Sequence, residues 1–128
     1  MQFVHNSENL TAVFGKWPSF HDAEIIHIEL DRRSPSLVAE IFAFETTRDT
    51  DEKGFYRRIH ESIVKIRFEG IDEVSLDGFN HQNVIAALAI EPRDKRLHVT
   101  IEPLNGLGGD FYCESAEILD VRRGKPTC

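Results

Sequence analysis

The sequence predicts a mainly β protein, α+β at most: a single antiparallel sheet domain, built as a sandwich or a partly open barrel, with one short N-terminal helix. Three observations carry this. Apolar and polar residues alternate at 63–68 and again at 97–102. Polar turns separate the apolar runs, as at 31–35 and 92–95. Helix signals are confined to the stretch before Gly15.

Asn6 or Ser7 is placed to cap a helix through Leu10, Val13 and Phe14; Gly15 ends it, and Pro18 prevents its continuation. Residues 24–30 read as a strand with Ile26, Ile28 and Leu30 on one face and Ile25, His27 and Glu29 on the other. Residues 36–45 are apolar on both faces, which suits an interior strand. The polar stretch 46–58 reads as a long mobile loop. Val64, Ile66 and Phe68 then point one way, Lys65 and Arg67 the other. Val74 and Leu76 continue a short strand after Gly70. At 84–90 the alanines permit helix, but Val84, Ile85 and Ile90 favour strand. Leu97, Val99 and Ile101 alternate with His98, Thr100 and Glu102. A Gly-rich turn at 105–110 leads into a last long strand at 111–121. That strand is expected to bulge near Ser115, because the apolar parity shifts between Phe111 with Cys113 and Ile118.

The chain has 128 residues, enough for one core, so it reads as a single domain over 1–128, with the core at about 8–122 and a disordered tail at 123–128. No apolar run approaches the roughly 20 residues of a membrane span. Residues 1–6 carry neither the basic nor the apolar segment of a secretory signal. A cytoplasmic location is the expectation. A net charge of −7 disfavours nucleic acid as a partner and suits a basic protein. Oligomeric state is open: an exposed edge strand can pair two copies, but no residue forces it.

The densest polar cluster is Ser19-Phe20-His21-Asp22-Ala23-Glu24, after Trp17-Pro18. With a strand beginning near His21, Asp22 and Glu24 share one face and His21 takes the other. Three readings compete. Ser19 or Asp22 satisfies backbone N–H groups of the turn while His21 packs or donates a hydrogen bond; the segment touches a partner; or His21, Asp22 and Glu24, joined by a distant histidine such as His81 or His98, hold a metal or act as acid and base, as the centre of a small metal-dependent enzyme or ligand-binding β domain. A second cluster, Asp77-Gly78-Phe79-Asn80-His81-Gln82-Asn83, reads as a hydrogen-bonded loop, with a recognition loop as its alternative. The glycines at 105–110 lack the Lys and Ser/Thr of a phosphate loop. Cys113 reads as a core thiol beside Glu114, and Cys128 as an exposed, unstructured terminal one. No catalytic residue and no cofactor is expected.

Three segments together resemble the immunity protein 50 family of bacterial polymorphic toxin systems. They are Phe14-Gly15-Lys16-Trp17-Pro18-Ser19-Phe20-His21-Asp22-Ala23-Glu24, then Gly78-Phe79-Asn80-His81-Gln82-Asn83, then Gly109-Asp110-Phe111 with Cys113-Glu114-Ser115-Ala116. The resemblance runs from about Val13 to about Val121. It implies a small, intracellular, non-enzymatic protein that binds and neutralises a cognate toxin. Trp17, Pro18, Phe20, His21, Asp22, Glu24, Asn80 and His81 would be its signature positions. For toxin contact, the polar stretch 46–58 offers Asp51 and Glu52 as charges and Phe55 and Tyr56 as exposed aromatics.

Overall fold

β-branched and aromatic residues recur in short runs after Ala23, and the computed structural model, which describes residues 1–126, forms these runs into eight strands behind one helix. The helix α1 (Glu8–Phe14) buries Leu10 and Phe14. Gly15 stops it at φ 78°, a left-handed conformation that suits glycine, and donates its N–H to Thr11 O at 2.7 Å. Ser7 occupies the N-cap, but without a side-chain bond to the helix.

The strands are β1 (Glu24–Asp31), β2 (Ser36–Thr50), β3 (Tyr56–Glu69), β4 (Asp72–Asp77), β5 (Val84–Arg93), β6 (Arg96–Asn105), β7 (Gly108–Cys113) and β8 (Ser115–Arg123). They form one antiparallel sheet in the order β4-β7-β6-β5-β1-β2-β3-β8, which does not close into a barrel. The order dictates the shape. β7 and β8 stand six places apart, about 29 Å across a flat sheet at strand spacing. Yet only Glu114 separates them in sequence, and two residue steps reach about 7 Å. The sheet therefore curls until the adjoining ends of β7 and β8 come together, without closing. The β3–β4 link makes the same crossing through Gly70 and Ile71, whose N–H groups both donate to Pro35 O. Glu114 donates its N–H to Glu69 O at 2.8 Å, joining the two crossings.

Inside the curl lie Ile41, Val64, Ile66, Phe68, Val99 and Phe111, closed by Leu10 and Phe14 from α1. The alternation expected at 63–68 and 97–101 holds: Val64, Ile66 and Phe68, like Leu97, Val99 and Ile101, are buried.

Three expectations are corrected. The last long strand is two, because the parity shift marks a crossing between sheet ends rather than a bulge. In β1 the register with β2 shifts between Ile25 and His27, and this bulge puts Ile25 at the core with Ile28 while Leu30 is exposed. The stretch 46–58 is not a loop: β2 and β3 continue pairing to Thr50 and Tyr56, leaving a tight turn at 51–55. β1 stops accompanying β2 at Phe42, and β8 stops accompanying β3 at Ser62. Beyond those points the β2–β3 ladder projects as a two-stranded arm, with register irregularities on both sides of Glu45 and Thr46. Of the expected tail 123–128, Arg123 ends β8 and Gly124 donates its N–H to Glu61 O. Residues 127–128, including Cys128, lie outside the described residues.

Candidate functional site

The segment 17–24 splices the sheet. β1 and β5 share a single register pair, Glu24 with Val84, so the sheet is two four-stranded halves joined at one narrow seam. Asp22 N–H donates to Ile85 O at 2.9 Å, Ile85 N–H to Ala23 O at 2.8 Å, and Ile25 N–H to Asn83 O at 2.8 Å. Phe20 drives its ring into the core and meets Trp17 edge to face at 5.8 Å. Both Phe20 and Asp22 adopt positive φ, at 61° and 68°, a strain that the seam bonds and the buried ring offset. Ser19 Oγ accepts the N–H of His21, and the His21 ring, through Nδ1, donates to Ala86 O at 2.9 Å.

The loop 78–83 locks the other side of the seam. Buried Asn83 is its hub: Oδ1 accepts from the N–H groups of Asn80 and Leu107, each at 3.0 Å, and Nδ2 donates to Asn80 O at 2.7 Å. Asn80 Oδ1 accepts from Gln82 N–H in turn. Gly106 fits at φ 79° directly against this hub; a Cβ there would lie 2.5 Å from Asn83 Oδ1. The hydrogen-bonded loop expected from the sequence is present, with Asn83 at its centre and His81 exposed.

The strand begins at Glu24 rather than His21, yet Asp22 and Glu24 do line one surface while His21 faces β5. That surface is an open cleft of about 950 Å³ on the outer side of the sheet. Phe42, Phe44 and Val84 contribute apolar lining, and Asp51, Phe55 and Tyr56 reach it from the arm. Arg58 lies with its guanidinium 4.1 Å from the centre of the Phe44 ring. Phe55 and Tyr56 are 68% and 63% exposed, high for aromatic side chains. The Asp51 carboxylate is used within the turn, accepting the N–H groups of Lys53 and Phe55. Glu52 stands exposed at the tip.

Sequence reasoning missed Phe42 and Phe44 as cleft residues. The two-sided apolar pattern at 36–45 carried the signal, but it reads equally as burial within a two-layer core. Among the described residues, no three His, Cys, Asp or Glu side chains converge in an arrangement able to hold a metal, so His21, Asp22, Glu24 and His81 are not assembled as a ligand set. Cys113 is fully buried, and burial pushes its thiol up to about 11, away from nucleophilic use. Among the described residues no helix is long and apolar enough to cross a membrane.

The segments that build the seam also carry the family resemblance. No curated protein and no solved structure matches the chain. The family described as Immunity protein 50 matches residues 6–124, nearly the whole length. The chain belongs to the immunity protein 50 family.

Proposed function

We propose that this protein is a non-enzymatic immunity protein that binds a cognate bacterial toxin in the cytoplasm and neutralises it by covering the toxin's active site or a neighbouring exosite. Family membership supports the class of function. The observation that carries the binding mode is the open cleft beside an arm that presents Phe55 and Tyr56 to solvent. Exposed aromatics beside a concave surface are what a partner buries as energetic anchors. Beyond His60, where Phe14 packs on the ring, the arm's strands pair only with each other, so its tip adapts without disturbing the core. The net charge of −7 steers a basic partner into the encounter.

The test is growth rescue. Cells expressing the toxin candidate encoded beside this gene should survive when the protein is co-expressed, and the two should co-purify. Continued killing in the presence of soluble, folded protein would overturn the proposal.

A further inference from the structure

Glu24 occupies an unusual place. It lies in register between Val84 of β5 and Phe42 of β2, so a carboxylate stands within an apolar row of the cleft. It is half-buried, and among the described residues it has no ion-pair partner. Arg57, Arg58 and Lys125 also line the cleft, but none of them forms an ion pair with Glu24, and Arg58 lies on the face of Phe44. Among the described residues, the ion-pair partner of Asp22, on the same cleft, is the exposed His21 ring at 3.5 Å.

We propose that the cleft receives a lysine or arginine side chain of the toxin, with the Glu24 carboxylate as its counter-charge. This rests on the immunity reading and names the contact it uses. A partner that covers the cleft strips water from Glu24, and a buried carboxylate without a cation is strongly disfavoured. An apolar plug brings Glu24 no counter-charge, whereas a long basic side chain supplies one within the apolar row. Its methylene stem packs along the apolar lining of the cleft, its head meets Glu24, and Asp22 adds a second carboxylate at the rim. Phe55 and Tyr56 then close on the neighbouring surface and exclude water from the pair.

The experiment measures the complex with the toxin domain encoded beside this gene. Glu24→Gln keeps the shape and removes the charge; Glu29→Gln, an exposed acid further along the same strand, is the control. The expected result is a Kd raised about tenfold or more by Glu24→Gln, chiefly through faster dissociation, with Glu29→Gln within about twofold. Equal affinity of Glu24→Gln and wild type overturns the proposal and leaves the immunity reading intact. Absence of any wild-type complex overturns both. Carbodiimide labelling of the wild-type carboxylates, read by mass spectrometry, needs no variant: Glu24 should be labelled in the free protein and protected in the complex. Equal labelling of Glu24 in both states overturns the proposal.

Discussion

Phe68 at the end of β3 and Phe111 in β7 pack edge to face with ring centres 5.2 Å apart, although their strands stand five places apart in the sheet. This contact is where the curled sheet meets itself. Phe111 is fully buried and Phe68 nearly so. Phe111→Ala should remove about 3–5 kcal/mol, measured by urea unfolding, because it empties the point where the two halves face each other. Loss below about 1 kcal/mol would mean the halves do not depend on each other in this way.

Asn83→Ala removes the hub of the seam loop. The N–H groups of Asn80 and Leu107 lose their acceptor, and Asn80 O loses a donor. The expected cost is about 2–4 kcal/mol, since unmade buried hydrogen bonds are charged their full desolvation penalty. His81→Ala, an exposed neighbour, should stay within about 0.5 kcal/mol.

Cys113 makes the fold sensitive to alkali. Its folded thiol titrates at about 11 and its ordinary value is 9.0. The unfolded thiol ionises first, so this contribution is complete below pH 9 and is lost as the pH rises towards 11. Urea midpoints taken across that range should fall further for wild type than for Cys113→Ala. The same burial should leave the native thiol inert to a thiol reagent at neutral pH, and denaturation should release it.

The arm is separable from the core. Replacing residues 47–57 with an Asn-Gly turn removes only the portion of β2 and β3 that no neighbouring strand accompanies. The thermal midpoint should drop by less than about 3 °C, while protection against the toxin is lost. Full protection by the shortened protein would place the toxin-binding surface elsewhere.

Paired substitution of Glu52 and Tyr56 by alanine separates the tip's two contributions. Glu52 is an exposed charge, and its loss should slow association and weaken its salt dependence. Tyr56 is an exposed aromatic lining the cleft, and its loss should speed dissociation. Stopped-flow and dissociation rates of the purified complex measure the two separately.

Local chemistry was readable from the chain by itself. The helix stop at Gly15, the strands at 63–68 and 97–101, the core thiol at Cys113 and the hydrogen-bonded loop around Asn80 follow from periodicity, φ preference and side-chain inventory, which act over a few residues. The family resemblance of 17–24 was readable too. Its physical role was not, because splicing two half-sheets depends on Ile85, Ala86 and Asn83, which lie some sixty residues away in sequence. The fate of 46–58 and 111–121 was decided only by the tertiary structure. A polar stretch becomes strand when its partner supplies the ladder, as β3 does for β2. A segment that reads as one long strand becomes two when a curled sheet brings β7 and β8 within reach of the single residue Glu114. Alternation records which face of a strand is buried; it holds no information on which strand lies alongside, and the cleft at Glu24 exists only through that pairing.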